Sequence, residues 1–347
     1  MRAIELPQEL VSDLRAVGLN PTDIVLYISS GCNLRCKHCY VGNDLLDSAV
    51  YYSAASVLRF VRDLPSLDRV TVLGGEPFFH PMLTEIITAF GQHTCNERRI
   101  TTNLTICDDD ILNALMRARF RVCVSVDGHT AAQHDDLRGE GAFGKTIDNL
   151  KRVIRDGHDV EVTHTLTAQN IQYFWQFVSL CQAVGVTRLN LHRVSLRGNA
   201  LRNRHLDMTA SEWRALTDAI EKRSTASAGG LRVRYEVGFV TEAEFADLVS
   251  NGEYEHHSRA SYYSPSGGSR VVIFPDQRLY ISSEAFGTQS YIGDIKEGRF
   301  KFNIQPGNEL IVSAQSGFDT TAINSEILGD ENYPIPVSVS YRRTAIV

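Results

Sequence analysis

Strand-like and helix-like segments alternate along most of this chain, and the alternation limits the folds open to it. Six apolar or β-branched runs are each followed by a segment with helical spacing of apolar residues. The predicted strands are 24–29, 69–73, 99–102, 121–126, 160–166 and 188–192, and the predicted helices are 53–64, 82–90, 109–117, 143–155, 171–184 and 209–222. Repeated β–α units predict a parallel sheet with right-handed crossovers. Six units are too few for a closed eight-stranded barrel.

Composition and charge are those of an ordinary globular protein. The chain has 347 residues, 43% hydrophobic and 22% charged, enough for one large domain and an appendage. It shows no signal-peptide pattern and no apolar stretch of roughly 18 residues, so we expect no membrane partner. Its formal net charge of −6 offers no general attraction to nucleic acid. Free cysteines fit the reducing cytoplasm, so we expect a cytoplasmic protein.

Three cysteines, Cys32, Cys36 and Cys39, lie close together on a polar loop after the first predicted strand. Soft thiolate ligands grouped in this way suit a multi-iron centre, and a cubane of four irons held by three thiolates leaves one iron open. Two other interpretations stay open at this point. His38 completes a Cys3His zinc site, or the cysteines are small core residues. A total of seven cysteines, an odd number, argues against a disulfide framework.

The sequence Gly-Gly-Glu-Pro follows the second predicted strand, at residues 74–77. Two glycines let a backbone approach a ligand without a Cβ clash, and the Glu76 carboxylate can hold an amine. A plain turn is the alternative. Because chemistry in such architectures lies at the carboxyl ends of the strands, we expect this segment to lie near the cysteine loop.

The fourth predicted strand ends in Ser125-Val126-Asp127-Gly128. Strand alternation puts Cys123, Ser125 and Asp127 on one face. We expect Ser125 and Asp127 to point into the site, whereas Cys123 lies deeper and is a core residue.

These motifs together resemble those of the radical S-adenosylmethionine (radical SAM) superfamily. The similarity lies in the C-x3-C-x2-C spacing followed by an aromatic residue, in Gly-Gly-Glu, in Thr-Thr-Asn at 101–103 and in Ser-Val-Asp-Gly. The resemblance implies an α/β fold with a partial (β/α)6 TIM-like barrel over residues 22–225. It also implies that the three loop cysteines hold one 4Fe-4S cluster, whose open iron binds S-adenosyl-L-methionine (SAM).

The same resemblance implies a set of SAM-binding residues. Glu76 with its two glycines is expected at the methionine amine, and Arg138 of the segment His-Asp-Asp-Leu-Arg-Gly is expected at the methionine carboxylate. The full expected set is Tyr40, Gly74, Gly75, Glu76, Asn103, Ser125, Arg138, Thr165 and His192. Asp127 is the first candidate for a catalytic contact with the substrate.

The last third of the chain resembles the SPASM or twitch extension found in part of that superfamily. Residues 270–280 are predicted to form a hairpin, and residues 291–298 continue the pattern. No cysteine follows Cys181, and auxiliary clusters are normally held by thiolates, so we expect a single cluster. The expected organisation is an N-terminal segment at 1–21, the barrel at 22–225 and a small α+β extension without an auxiliary cluster at 226–347.

The resemblance implies an enzyme that reductively cleaves SAM to a 5′-deoxyadenosyl radical and removes a hydrogen atom from its substrate. The expected substrate is a ribosomal peptide or a natural-product intermediate. A nucleoside or sugar metabolite is the alternative, with carbon–carbon bond formation, epimerisation or rearrangement as the reaction. An electron donor such as flavodoxin or ferredoxin is the expected partner. The rival from another class is a non-catalytic zinc-binding scaffold.

Overall fold

The structure, a computed structural model, describes residues 1–224, 230–235, 237–251, 270–280, 291–302, 335–338 and 344–347. Its strands are β1 (Arg2–Ile4), β2 (Asp23–Tyr27), β3 (Val50–Tyr52), β4 (Leu67–Leu73), β5 (Cys95–Thr102), β6 (Arg121–Ser125), β7 (Val160–Leu166), β8 (Arg188–Arg193), β9 (Arg232–Tyr235), β10 (Val237–Val240), β11 (Arg270–Ile273), β12 (Arg278–Tyr280), β13 (Tyr291–Lys296), β14 (Arg299–Phe302), β15 (Ile335–Ser338) and β16 (Thr344–Ile346). Its α-helices are α1 (Leu10–Ala16), α2 (Asn43–Leu46), α3 (Ala54–Asp63), α4 (Leu83–Gln92), α5 (Asp109–Arg117), α6 (Ala131–Arg138), α7 (Ala142–Arg155), α8 (Phe174–Val184), α9 (Ala210–Arg223) and α10 (Glu242–Ser250).

Twelve of these strands form one sheet, in the order β14-β13-β12-β11-β2-β4-β5-β6-β7-β8-β9-β16. Every adjacent pair from β11 to β9 is parallel. The six predicted strands are β2 and β4 to β8, and β9 and β11 add one more parallel strand at each side. Within the described residues the two end strands do not pair, so the sheet is open. The predicted partial barrel is confirmed.

The element boundaries differ most from prediction in β5. This strand begins at Cys95, four residues before the predicted start at 99. Its first residues are polar, yet they pair in register with β4, with Cys95 opposite Leu67 and Glu97 opposite Arg69. A hydrophobicity pattern misses this stretch because polar residues occupy both faces of the strand here, with Asn96 exposed and Arg98 half-buried.

The strands bury apolar side chains against the helices and turn polar side chains toward the inside of the barrel. In β4, Val70 and Val72 belong to the main hydrophobic core, whereas Arg69 and Thr71 line an internal cavity. This is the ordinary alternation of a strand. Fully burying a Val side chain stabilises a fold by about 1.5–3 kcal/mol, so the layer between sheet and helices holds the barrel together.

Side-chain caps fix where several of the crossover helices begin. Ser53 accepts a hydrogen bond from the backbone N–H of Ser56 at the start of α3, and Asp108 does the same for Ile111 at the start of α5. α9 begins with a capping box between Thr209 and Glu212. Each cap is worth about 1 kcal/mol and sets the length of the loop above the preceding strand.

Segments from the last third of the chain extend the barrel sheet at both sides. β11 runs parallel to β2, with Arg270 opposite Asp23, and β16 pairs antiparallel with β9. The hairpin predicted for residues 270–280 is confirmed, since β11 and β12 pair antiparallel. In the described residues no helix combines the length and the apolar character that crossing a membrane requires.

Candidate functional site

The three loop cysteines line one cavity of about 300 Å³. Cys32, Cys36 and Cys39 are free thiols on the loop between β2 and α2. Burial raises the pKa of Cys32 to about 11 and that of Cys36 to about 12, so both are thiols in the metal-free protein. A metal that binds them offsets this cost, because it stabilises the thiolates directly.

The chemistry of this donor set fits a 4Fe-4S cluster. Three soft sulfur ligands border one cavity, and a cubane takes each thiolate on a different iron. Within the part of the chain that the structure describes, no three Cys, His, Asp or Glu side chains are grouped as ligands of a single metal ion.

His38, the residue that would complete a Cys3His zinc site, makes a contact with a carboxylate instead. Its Nε2 lies 3.1 Å from Oδ2 of Asp127, and its ring is 8% exposed. Its Nδ1 has no hydrogen-bond partner among the described residues. His38 therefore ties the middle of the cysteine loop to the end of β6.

Two asparagines hold the same loop from another side. Asn199 donates its side-chain amide to the Cys36 carbonyl (2.9 Å) and its backbone amide to the Cys39 carbonyl (2.8 Å). Asn203 donates its side-chain amide to the Lys37 carbonyl at 3.1 Å. Sequence reasoning missed this clamp because Asn199 lies 163 residues from Cys36 and belongs to no recognisable motif.

A glycine permits that clamp to approach the loop. Gly198 has φ of +52°, and a Cβ at this position would lie 2.6 Å from the carbonyl oxygens of both Cys39 and Tyr40. Any other residue would both strain the backbone and push the cysteine loop outward.

Gly74, Gly75 and Glu76 pack directly on the start of the cysteine loop. The Gly75 amide donates to the Ser29 carbonyl and the Glu76 amide to the Gly31 carbonyl, both at 2.8 Å. A Cβ on Gly75 would lie 2.5 Å from the Gly31 carbonyl oxygen. These glycines thus permit two backbones to meet, and both also line the cavity. Their approach to a ligand stays a prediction.

The Glu76 carboxylate is buried, and its hydrogen-bond donors among the described residues are neutral groups. It accepts hydrogen bonds from the Thr102 hydroxyl (2.7 Å), the Asn103 amide (2.7 Å) and the Phe78 amide (3.1 Å). Burial raises the pKa of Glu76 above its usual value despite these donors. A carboxylate has about four acceptor positions, so one is left for a further donor.

All nine residues predicted to bind SAM line this cavity together with the cysteines. Asn103 also reaches the cysteine loop, since its side-chain Nδ2 donates to Asn33 Oδ1 at 3.0 Å. The Tyr40 hydroxyl lies 2.6 Å from that of Tyr27, and His192 Nε2 lies 2.8 Å from the Asn190 amide nitrogen. The structure brings the predicted set together, and its contacts with SAM stay predictions.

Asp127 stands apart from that set, because it does not line the cavity. Its carboxylate is fully buried and accepts hydrogen bonds from Arg138 Nε (2.5 Å) and the Thr165 amide (2.7 Å), with His38 at 3.1 Å. Burial alone would raise the pKa of Asp127, but the Arg138 guanidinium and His38 outweigh it and hold that pKa well below its usual range. This geometry gives the predicted substrate contact no support.

Arg138 connects Asp127 to the cavity. It is the last residue of α6, is 9% exposed and lines the cavity, while its Nε is bound to Asp127. In the described part of the chain, Asp127 is the hydrogen-bond partner of this guanidinium. Cys123 lies outside the cavity lining and is buried beside Glu161, as predicted for a core residue.

Comparison with known proteins finds a family model and curated relatives that are similar to this chain. The sequence model of the Radical SAM superfamily matches residues 26–181. The chain is 26% identical over 235 residues to Fe-coproporphyrin III synthase of Methanosarcina barkeri, covering 67% of this chain and 57% of that protein. It is 25% identical over 182 residues to the mycofactocin maturase MftC of Mycobacterium tuberculosis, covering 51% and 46%. The chain spans about half the length of the curated relatives it matches.

Solved structures share the fold at lower identity. SuiB of Streptococcus suis bound to the precursor peptide SuiA superposes with a TM-score of 0.64 at 17% identity, covering 89% of this chain and 70% of that chain. The protein anSMEcpe with bound AdoMet gives a TM-score of 0.59 at 15% identity, covering 85% and 81%.

Proposed function

The chain contains a radical SAM domain, and on that premise we propose that it uses one 4Fe-4S cluster and SAM to remove a hydrogen atom from a peptide substrate. The observation that carries the proposal is the cavity itself. Three cysteines and nine polar or backbone groups, drawn from a chain segment of more than 160 residues, line one space.

Different residues of this cavity would bind the cluster and SAM. Cys32, Cys36 and Cys39 would supply the thiolates for three irons of the cluster. Glu76 would accept the methionine ammonium at its remaining acceptor position, and Arg138 would donate its terminal N–H groups to the methionine carboxylate. When bound, the reduced cluster supplies the electron that cleaves SAM to a 5′-deoxyadenosyl radical.

Asp127 acts in this proposal as a positioning residue. It holds Arg138 through Nε and leaves the two terminal nitrogens of the guanidinium for a ligand. It also holds His38, and with it the backbone between Cys36 and Cys39. One buried carboxylate thereby couples the geometry of the cysteine loop to that of the SAM carboxylate site.

A peptide substrate is supported by the kind of protein that shares the fold. SuiB was solved with a precursor peptide, and MftC is named as a maturase. A small-molecule substrate is the second candidate, since Fe-coproporphyrin III synthase is also a relative and the cavity walls are rich in arginine. Incubation of the reconstituted protein and SAM with either class, followed by mass spectrometry of the products, separates the two.

The cysteine loop provides the direct test of the enzyme. Replacing Cys32, Cys36 and Cys39 together with Ala should abolish iron binding and the release of 5′-deoxyadenosine from SAM, while the barrel stays folded. The matched control replaces Cys95 and Cys107, two half-buried thiols outside the cavity lining, with Ala. Wild type and control should each bind about four irons after anaerobic reconstitution. Iron retained by the triple variant, or about eight irons in wild type, contradicts the proposal.

A further inference from the structure

Asn199 lies outside the cavity lining, yet its whole side chain is used to hold the cysteine loop. It is 7% exposed and belongs to a short 3-10 turn, Gly198–Arg202, between β8 and α9. Its Nδ2 donates to the Cys36 carbonyl at 2.9 Å and to Asn43 Oδ1 at 2.8 Å, and its Oδ1 accepts from the Asn43 amide at 3.0 Å. Both side-chain N–H groups and the carbonyl oxygen therefore have partners, which fixes the orientation of this buried amide.

The same network fixes the turn between two of the loop cysteines. The Cys36 carbonyl accepts from the Cys39 amide at 3.2 Å as well as from Asn199 Nδ2, so both of its lone pairs are used. The Cys39 carbonyl accepts from the Asn199 amide at 2.8 Å, and the Lys37 carbonyl between them accepts from Asn203 Nδ2 at 3.1 Å. Two residues of one short segment thus hold three consecutive parts of the loop backbone.

The segment that carries these two asparagines is itself anchored. A small hydrophobic cluster, apart from the main core, joins α6 to this segment through the buried side chains of Leu137, Val194, Ala200 and Leu206. Ala200, the neighbour of Asn199, is fully buried. The Leu137 carbonyl also accepts from the Lys37 amide at 2.8 Å, so the same cluster holds the loop from its other side. Because the asparagines lie on a packed base, their hydrogen bonds constrain the loop.

From this network we infer that Asn199 and Asn203 are positioning residues for the 4Fe-4S cluster. They hold the loop so that the thiols of Cys36 and Cys39 are presented to the metal in one arrangement. The inference rests on the proposed function, since it concerns the same cluster. Replacing groups that orient metal ligands typically costs roughly 10–100-fold in metal affinity. Loss of either asparagine should therefore weaken metal binding although every thiol ligand is still present.

The clamp should also affect the reduction potential of the cluster. A reduced 4Fe-4S cluster carries one more negative charge than the oxidised form, and nearby water stabilises it. Without the Asn199 side chain, the Cys36 carbonyl and the Asn43 amide lose a partner, and the space left between them is polar enough for water. We therefore expect a higher midpoint potential in a variant that lacks this side chain.

The test compares anaerobically reconstituted proteins well below their melting temperatures. Asn199→Ala removes the side-chain bonds but keeps the backbone amide on Cys39, and Asn203→Ala removes the bond to Lys37. Asn113→Ala, on an exposed residue of α5, is the matched control. Release of iron to a colorimetric chelator should be about tenfold faster from Asn199→Ala and about threefold faster from Asn203→Ala than from wild type, and unchanged in the control.

A redox titration followed by electron paramagnetic resonance supplies the second measurement. Asn199→Ala should have a higher midpoint potential than wild type and the control. The inference is overturned if the release rate or the potential of folded Asn199→Ala equals that of wild type, whatever happens to its melting temperature. Equal acceleration of release in Asn113→Ala overturns it as well. If Asn199→Ala does not fold, release from Asn203→Ala at the wild-type rate overturns the inference.

The outcome can be separated from that of the proposed function. Wild-type protein that binds about four irons and releases 5′-deoxyadenosine from SAM, while both asparagine variants release iron at its rate, overturns the positioning inference alone. Wild-type protein that binds the cluster but never cleaves SAM overturns the proposed function. Faster iron release from the asparagine variants of that protein would still support the inference.

Discussion

The two buried carboxylates near the cysteine loop are held in opposite ways. On the Glu76 side, at the ends of β4 and β5, the hydrogen-bond donors are a hydroxyl and two backbone amides, and burial raises the carboxyl pKa. On the Asp127 side, at the ends of β6 and β7, the Arg138 guanidinium pairs with the carboxylate, His38 lies 3.1 Å from it, and the carboxyl pKa is well below its usual range. A carboxylate held by neutral donors keeps a negative charge that can attract a cation. A carboxylate already paired with a guanidinium has little charge left to offer a ligand.

The strongest test of this comparison removes each carboxylate in turn. Asp127→Ala should lower the free energy of unfolding by about 3–5 kcal/mol, because it leaves the buried Arg138 without its partner. Glu76→Ala should cost about 1–3 kcal/mol, the usual penalty for unpaired neutral donors. Urea denaturation of the metal-free proteins measures both. If Glu76→Ala is as damaging as Asp127→Ala, the two sides do not differ as described.

Cofactor affinity should depend on the Glu76 side. Glu76→Gln keeps the shape of the side chain but removes the charge that would attract the methionine ammonium, a contact worth about 1.5–3 kcal/mol. SAM should therefore bind at least tenfold more weakly to the reconstituted variant, since tenfold corresponds to about 1.4 kcal/mol. Glu85→Gln, on an exposed residue of α4, is the matched control and should bind SAM normally. If the affinity of Glu76→Gln for SAM is unchanged, Glu76 does not bind SAM.

Arg138 pairs with Asp127 and also lines the cavity. A conservative substitution separates its contact with Asp127 from its proposed contact with SAM. Arg138→Lys preserves a positive charge for Asp127 but cannot present a fork to a second carboxylate. We expect the free energy of unfolding to fall by about 1 kcal/mol and SAM to bind about three- to tenfold more weakly. Titration of SAM, with the exposed Arg155→Lys as control, checks this. If Arg138→Lys binds SAM as tightly as wild type does, Arg138 pairs with Asp127 but does not bind SAM.

The smallest expected effect is a pair of opposite pH dependences in the metal-free protein. The folded pKa of Asp127 lies below the unfolded value of about 3.9. The free energy of unfolding of wild type should therefore fall relative to that of Asp127→Asn as pH falls below about 4. The folded pKa of Glu76 lies above about 4.3, so wild type should lose stability relative to Glu76→Gln as pH rises from about 4.3. Urea denaturation between pH 3 and 7 measures both. Slopes of the same sign contradict the comparison.

Local patterns in the sequence were enough to predict the repeating β–α part of the fold. Period-two runs and helical spacing identify the six strands and their helices because each element buries its own apolar face. The same patterns do not identify β9 or β11 as members of the parallel sheet. Arg270 of β11 pairs beside Asp23 of β2, and pairing over such a separation leaves no mark on either segment alone.

For the site, sequence motifs identify residues but not the relation between them. The cysteines and Glu76 stand out by spacing, and their common cavity follows from parallel strands. Asp127 stood out equally, yet its carboxylate contacts His38 and Arg138 rather than the cavity, and only the packed structure reveals these contacts. Asn199 carries no signal in the sequence, because its function is to bind backbone carbonyls 160 residues away.

The parallel pairing of β11 with β2 has a consequence for synthesis of the protein. β2 gains β4 as a neighbour once residue 73 has left the ribosome, but its other edge stays open until residue 273 has followed. At about 5–20 residues per second, that interval of roughly 200 residues lasts on the order of 10–40 s. Throughout it the nascent chain exposes an unpaired strand edge. Translation speed over this stretch therefore sets how long this edge of β2 stays open before β11 pairs with it.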